Sequence, residues 1–252
     1  MTNFPVFEHL KVEDFGLYPG TATKPGVNIE FKPGLTLILG ANGLGKTTLI
    51  TVVFRLLTGP FDIPALISRS DLGNASLKVT TLSPAAKRIF AQRVTDGAQG
   101  ATARLTFSIG SDKLVVERRL KDLALTFFSV NGVDRTPDDL TVFQPTIAKM
   151  AGVWSFGDWI LLLRHMIFYF EDRRELVWDA SAQRQLLRTL LLPPAIAQAW
   201  TEDERAILEL DSRMRNLRFA AYREEQDLTQ VETKVRHSAN VREELKTLEG
   251  LQ

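Results

Sequence analysis

The residues with the clearest chemistry form one short segment, Gly40-Ala41-Asn42-Gly43-Leu44-Gly45-Lys46-Thr47-Thr48, which has the spacing G-x-x-x-x-G-K-[ST]. Its three glycines allow the backbone to bend until the N–H groups point inward at an anion, and the positive end of a following helix adds a partial charge. In this motif Lys46 reaches the outer phosphates of a nucleotide and the Thr47 hydroxyl binds Mg²⁺. The sequence therefore predicts a nucleotide-phosphate site at residues 40–48.

The flanking residues predict the elements that this site needs. Residues 35–39 are apolar or β-branched and indicate a buried strand, and residues 49–57 carry apolar residues at helical spacing. Upstream, residues 7–15 and 27–31 alternate as strands and are separated from the third strand by the turn Lys32-Pro33-Gly34. The order of strands, phosphate loop and helix predicts an α/β protein of the P-loop NTPase class.

A second group of predicted strands follows at residues 77–81, 103–109, 113–120 and 125–130. Turns are indicated at Gly110-Ser111-Asp112 and at Asn131-Gly132, and Asn-Gly after a β run is a strong hairpin signal. These residues predict an antiparallel β subdomain at about 77–135.

Composition excludes several classes of protein. The 252 residues are 44% hydrophobic and 24% charged and contain no cysteine, so disulfides and thiolate metal sites are excluded. The N-terminus lacks the layout of a secretory signal, and the longest apolar run, residues 159–170, is interrupted by Arg164 and His165 and is too short to span a bilayer. These features predict a soluble cytoplasmic protein without a membrane partner.

The formal net charge of +1 conceals a basic region. Nine Lys or Arg residues lie between Lys78 and Asp122, against four acidic residues. Such an excess suits a nucleic-acid backbone, and it equally suits a solvated sheet face. The candidate nucleic-acid contacts in this region are Lys87, Arg88, Arg118, Arg119 and Lys121.

In the C-terminal part of the chain the spacing of the apolar residues changes. Asp179-Ala180-Ser181 predicts the start of a helix over 182–192, and Thr201-Glu202-Asp203-Glu204 predicts a capping box at the start of another. Positions at alternating steps of three and four are then apolar at Ile207, Leu210, Met214, Leu217, Ala221, Leu228, Val231, Val235 and Leu245, and Glu224, Ser238 and Arg242 break the pattern at three positions. Because about 45 helical residues span about 70 Å, more than a domain of this size covers, a coiled-coil arm is favoured over a helix packed on the domain. We therefore predict a globular lobe at 1–200 and the start of a coiled-coil arm at 201–252.

The chain resembles the N-terminal lobe of SMC-like ATPase heads, both in the order of its elements and in the core sequence F-K-P-G-L-T-L-I-L-G-A-N-G-L-G-K-T-T-L. SMC-like heads are an ABC-type group that contains the SMC proteins, RecF, RecN and the coiled-coil double-strand-break-repair ATPases. The resemblance covers the first 57 residues well and the middle loosely. ABC transporter subunits share the Asn-Gly-x-Gly-Lys-Thr-Thr string, but a long coil is foreign to them. Many relatives carry an Arg after the Phe of the first strand, whereas this chain has Phe15-Gly16-Leu17-Tyr18, so no nucleotide contact is predicted there.

Two interpretations of residues 163–172 follow from the resemblance. In the first, Leu163-Arg164-His165 occupies the place of the Q-loop, and His165 stands where the family has a catalytic Gln. In the second, residues 166–170 form a Walker B strand followed by Glu171 and Asp172, in the reverse of the usual Asp-Glu order.

No signature motif and no clean Walker B strand are present, and in SMC-like proteins both follow the returning arm of the coil. The resemblance thus implies the N-terminal half of an ATPase head that binds ATP and Mg²⁺. Its expected partners are the C-terminal half, in the same or a separate chain, a second head joined through ATP, double-stranded DNA, and coiled-coil or accessory subunits. The expected roles are repair, chromosome organisation or defence against foreign DNA. A self-sufficient NTPase that uses Glu171 and Asp172, and a nucleotide-binding scaffold without turnover, are the alternatives.

Overall fold

The structure, a computed structural model, describes residues 2–63, 79–136, 142–170 and 180–249. The strands in these residues are β1 (Pro5–Glu13), β2 (Gly20–Thr21), β3 (Lys24–Pro25), β4 (Val27–Glu30), β5 (Phe61–Asp62), β6 (Thr80–Thr81), β7 (Thr102–Ile109), β8 (Asp112–Arg119), β9 (Leu125–Val130) and β10 (Val133–Asp134). The helices are α1 (Lys46–Thr58), α2 (Pro84–Lys87), α3 (Phe143–Ala151), α4 (Phe156–Leu162), α5 (Ala180–Leu191) and α6 (Pro194–Glu249), with a 3₁₀ turn at Ala91–Arg93 and a π-helical turn at Leu163–Ile167. The chain divides into two compact units, Met1–Thr201 and Glu202–Gln252.

Six strands form one antiparallel sheet in the order β10-β9-β8-β7-β1-β4. Asn131 and Gly132, with φ of 52° and 80°, form the two-residue turn between β9 and β10. Positive φ at both positions is the hairpin geometry that Asn-Gly favours. The strands predicted at 103–109, 113–120 and 125–130 are confirmed, and they share one sheet with the N-terminal strands β1 and β4.

The core of the first unit lies between this sheet and α1. On β7 and β8 every second side chain is buried, as Leu105, Phe107, Leu114 and Val116 show. Helix α1 packs against these two strands and buries the apolar residues Leu49, Val52, Val53, Leu56 and Leu57 at helical spacing. Fully burying each such side chain stabilises the fold by roughly 1.5–3 kcal/mol, so the sheet determines where α1 lies.

The strand predicted at residues 35–39 is wrong for this structure. The segment has no regular secondary structure, and Leu35, Leu37 and Leu39 are 85%, 68% and 86% exposed. A strand needs a neighbour that satisfies its backbone N–H and C=O groups, and no described strand pairs with this segment. The apolar pattern is present, but within the described part of the chain no strand pairs with this segment.

Ser155 is the N-cap of α4. Its hydroxyl accepts from the Asp158 N–H at 3.1 Å, and its own N–H donates to the Asp158 carboxylate at 3.1 Å, so the helix begins at Phe156. After α4 the backbone widens into the π-helical turn, which the Phe168 N–H closes on the Leu163 carbonyl at 2.8 Å. The Walker B strand predicted at 166–170 is therefore wrong, since 166–167 are helical and 168–170 are in no strand. Glu171 and Asp172 lie outside the described residues.

The capping box predicted at Thr201 is also wrong, because α6 already begins at Pro194 and is continuous through this position. Proline suits the first helical position, and the Pro193 carbonyl accepts from the N–H groups of Ile196 and Ala197 at 2.9 Å each. The Thr201 hydroxyl donates to the Ala197 carbonyl one turn earlier. In the described part of the chain no helix is long and apolar enough to cross a membrane.

A buried ion pair joins α4 to α5. Arg188 Nη2 donates to Asp158 Oδ1 at 2.6 Å, and the two side chains are 4% and 2% exposed. Thr189 Oγ1 donates to the same carboxylate oxygen, and Arg188 also bonds the Thr201 hydroxyl in the first part of α6. Asp158 thus combines a helix cap with the counter-charge of a buried guanidinium.

Replacing Asp158 by Asn should lower the free energy of unfolding by about 3–5 kcal/mol, because the Arg188 charge then stays buried without its partner. The measurement is urea unfolding followed by circular dichroism. The control is Lys11→Gln in the exposed Lys11–Glu13 pair, where a change of less than about 1 kcal/mol is expected. Equal effects of the two substitutions would contradict this account of the ion pair.

Candidate phosphate-binding site

The loop at residues 40–45 has a backbone that only glycine adopts easily. Gly43 and Gly45 have φ of 85° and 83°, in the left-handed region. At Gly45 a Cβ would also lie 2.7 Å from the Leu17 side chain and 3.0 Å from the Tyr18 ring, so glycine is required there for space as well. The positions of these glycines in the motif therefore have a conformational cause.

Helix α1 follows directly and presents an uncapped N-terminus. Gly45 is its N-cap and provides no side-chain hydrogen bond, and no acidic residue lies in the first turn. The first N–H groups of a helix lack partners within the helix and carry a partial positive charge. The loop and α1 thus have the backbone geometry that an anion-binding site needs. The nucleotide contacts of Gly40 to Thr48 stay a prediction.

Three side chains at the start of α1 supply further chemistry. Lys46 folds over the loop, and its ammonium donates to the carbonyls of Gly40 and Ala41 at 2.6 and 2.8 Å. Thr47 is exposed, and its hydroxyl is a suitable hard oxygen ligand for Mg²⁺. Thr48 is buried and its hydroxyl accepts a hydrogen bond.

The described residues contain no group of three or more His, Cys, Asp or Glu side chains that would hold a metal ion. Mg²⁺ at phosphate sites is commonly bound through nucleotide phosphates and water, with one or two protein ligands. The exposed Thr47 hydroxyl at the start of α1 fits the role of such a ligand.

Tyr18 supports the loop from the side. Its hydroxyl donates to the Gly45 carbonyl at 2.6 Å, and its ring contacts Phe15 edge-on with centroids 5.5 Å apart. Burial raises the pKa of the Tyr18 hydroxyl to about 12, against a lowering effect of the Arg93 charge. Tyr18 therefore remains a protonated donor at neutral pH and fixes the last loop residue before α1.

Arg93 reaches the same turn from a distant part of the sequence. Its Nη1 donates to Thr48 Oγ1 at 2.9 Å across 45 residues. No contact at Tyr18 or Arg93 is predicted from the sequence. The segment that holds Tyr18 lacks the Arg found in many relatives, Arg93 lies in no motif, and both residues come to the loop through the packing of Phe15 against Phe90.

Asp62 holds the opposite end of α1. Its carboxylate accepts from Arg55 of α1 at 3.0 Å, and from two nitrogens of Arg164 at 2.9 and 2.5 Å. Burial alone would raise the pKa of Asp62, but the hydrogen bond and charge of Arg164, together with the charge of Arg55, hold it below its ordinary value. The cluster therefore stays charged and ties α1 to the π-helical turn.

His165, the predicted Q-loop residue, is the neighbour of Arg164 in that π-helical turn and is half-buried. The bonds of Arg164 to Asp62 therefore fix the backbone that carries the His165 imidazole. Turns of this kind occur frequently at functional sites. The catalytic role of His165 stays a prediction.

Arg118 is not available to nucleic acid, which corrects its prediction as a contact. The side chain is completely buried under the C-terminus of α1, where Nε donates to the Leu56 carbonyl and Nη1 to the Leu123 carbonyl, each at 3.2 Å. Its guanidinium lies 4.8 Å from the Phe143 ring centroid. Burial lowers the pKa of Arg118 to about 9, so it remains a cation at neutral pH and offsets the negative end of the helix.

The other predicted nucleic-acid residues lie nearer to solvent. Arg88 is exposed and Lys87 half-buried, and neither forms an ion pair within the described residues. Arg119 is paired with Asp122 at 2.6 Å, and Lys121 donates to Gln99 at 2.7 Å. Lys87 and Arg88 therefore offer the least neutralised charge of this set.

An α/β fold with a glycine-rich anion loop ahead of an uncapped helix defines a P-loop NTPase. The chain belongs to the family described as AAA domain, whose model matches residues 9–252. This family of P-loop ATPases includes SMC-like proteins, and membership makes the chain a nucleotide-binding ATPase in general terms. No curated protein matches its sequence significantly.

Arg118→Gln should destabilise the protein by roughly 3 kcal/mol or more, because it removes the cation that neutralises buried carbonyls and leaves a cavity beside Phe143. Arg119→Gln, on the next residue, removes an exposed pair and should cost less than about 1 kcal/mol. Urea unfolding of both variants measures the difference. A small, equal loss in the two would show that the buried position of Arg118 is incorrect.

Proposed function

We propose that this chain binds ATP and Mg²⁺ as the N-terminal half of an SMC-like ATPase head, which joins a second head around ATP and acts on DNA. Lys46 and the N–H groups at the start of α1 bind the phosphates, and Thr47 ligates Mg²⁺. The bound ion neutralises developing charge on the phosphates during transfer to water. Membership of a family that includes SMC-like proteins supports this assignment.

The observation that carries the half-head proposal is the exposure of residues 35–39 immediately before a well-formed phosphate loop. An apolar segment with unpaired backbone is an unfavourable surface unless another strand or chain covers it. Strands of the C-terminal half, in the same or a separate chain, would satisfy its backbone groups and bury Leu35, Leu37 and Leu39. The same half would bring the signature and Walker B residues that complete hydrolysis.

The long helix α6 supports the proposal that this chain carries one arm of a coiled coil. In the second unit two groups of exposed apolar side chains recur at steps of three and four. They are Ile207, Leu210, Met214 and Leu217, and then Leu228, Val231 and Val235. A stripe of this kind is the surface that a second helix of a coiled coil covers. We infer that the returning arm or an accessory subunit pairs with it, so that opening and closing of the heads is transmitted along the coil.

Contact with double-stranded DNA would come from the positive charges of the first unit that remain unpaired. Lys87 lies in α2 and Arg88 is its C-terminal cap, so both project from one short exposed helix. Binding of this type has no sequence preference and depends on the number of phosphates neutralised. Lys121 adds a further charge, whereas the charge of Arg119 is offset by Asp122.

The decisive experiment compares nucleotide binding with turnover in the isolated chain. We expect it to bind a fluorescent ATP analogue in the presence of Mg²⁺ and to hydrolyse ATP at close to the uncatalysed background. Lys46→Ala should lower the affinity about 100-fold or more, because it removes charge-assisted hydrogen bonds to phosphate. Lys24→Ala, an exposed lysine outside the loop, is the control. Rapid turnover by the chain alone would refute the half-head proposal, and unchanged binding by Lys46→Ala would refute the phosphate site.

The DNA proposal is tested by the salt dependence of binding to labelled duplex DNA, measured by fluorescence anisotropy. The double substitution Lys87→Gln/Arg88→Gln should reduce the slope of log affinity against log salt concentration by about 2, since each phosphate contact contributes about 0.9. The control Lys24→Gln/Lys32→Gln removes the same charge from other exposed positions. A slope that is unchanged, or changed equally by the control, would remove Lys87 and Arg88 from the DNA surface.

A further inference from the structure

Arg93 is the only described arginine or lysine, apart from Lys46 itself, whose side chain hydrogen-bonds a residue of the phosphate-loop motif. It closes the 3₁₀ turn at Ala91–Arg93, and its guanidinium bonds Thr48 in the first turn of α1. Thr48 is buried, whereas Arg93 itself is exposed. The side chain therefore lies along the edge of the loop, in contact with the motif at one end and with solvent at the other.

The backbone that carries Arg93 is fixed against the loop. Phe90 is fully buried and contacts Phe15 edge-on at a centroid distance of 6.4 Å. Phe15 in turn contacts Tyr18, whose hydroxyl bonds the Gly45 carbonyl. Arg93 is therefore placed by the core rather than by a surface loop, which reduces the entropy lost when it binds a ligand.

Within the described residues the charge of Arg93 has no counter-ion. None of the ion pairs there includes it, and its one side-chain hydrogen bond is the one to Thr48. A guanidinium has five N–H donors in a planar fork that suits phosphate oxygens. An unneutralised, pre-positioned fork beside an anion-binding loop is suited to a phosphate ligand.

We propose that Arg93 is a nucleotide-binding residue that contacts the phosphates held by the loop and the N-terminus of α1. In this role it supplies a second positive charge in addition to that of Lys46, and the hydrogen bond from Tyr18 holds Gly45 in place beside it. The inference rests on the proposed binding of ATP and adds a residue outside the motif to it.

The test measures the affinity of a fluorescent ATP analogue for Arg93→Gln, Arg93→Lys and the wild type at several salt concentrations. Arg93→Gln should bind about tenfold more weakly or worse, the loss expected for one charge-assisted hydrogen bond, and its affinity should depend less on salt because one charge is gone. Arg93→Lys keeps the charge and should recover most of both losses. Arg135→Gln, an exposed arginine beyond β10, is the matched control and should behave as wild type.

Two results would overturn the inference. One is wild-type affinity in Arg93→Gln. The other is weaker binding with an unchanged salt dependence, which is expected if the bond from Arg93 to Thr48 is purely structural. Lys46→Ala separates this failure from that of the proposed function. If the wild type binds and Lys46→Ala does not, the phosphate site stands whatever Arg93 does. If the wild type itself fails to bind, the proposed function and this inference fail together.

Discussion

The burial of α1 against β7 and β8 is the constraint on which the phosphate site depends. Its apolar face places the helix on the sheet, and both of its ends are then fixed by polar contacts. At the C-terminus the buried Arg118 guanidinium and the Asp62 cluster bind the helix end, and at the N-terminus Tyr18 holds Gly45. The uncapped N–H groups are held in place to face an anion because packing in the core fixes the rest of the helix.

Two apolar surfaces of this chain are exposed. Residues 35–39 are exposed beside the site, and an apolar stripe is exposed along the helix of the second unit. The first has the composition of a buried strand, and the second has the spacing of three and four residues that is typical of a coiled coil. The hydrophobic effect favours covering both surfaces, and this is the physical reason for our proposal that further segments complete the head.

The distribution of arginines shows how the surroundings of a charge decide its function. Arg118 and Arg119 are adjacent on β8, but side chains alternate across a strand, so one is buried beneath α1 and the other is exposed. Arg55 and Arg164 neutralise a single buried carboxylate, and Arg93 lies beside the loop with no counter-ion among the residues that the structure describes. A count of basic residues treats all of these as equivalent, whereas their desolvation and partners make them different.

The backbone of the glycine-rich loop, helix α1, strands β7 to β9 and the long C-terminal helix could be predicted from the sequence, because each depends on local spacing: glycines that reach positive φ, apolar residues at a period of two or of 3.6, and Asn-Gly at a turn. Four features could be seen only in the folded chain: residues 35–39 have no strand partner among the described residues, Arg118 is buried, α6 begins at Pro194, and Tyr18 and Arg93 contact residues of the loop motif. These outcomes depend on which distant segments pack together, and contacts across 27 or 45 residues leave no periodic trace in the chain.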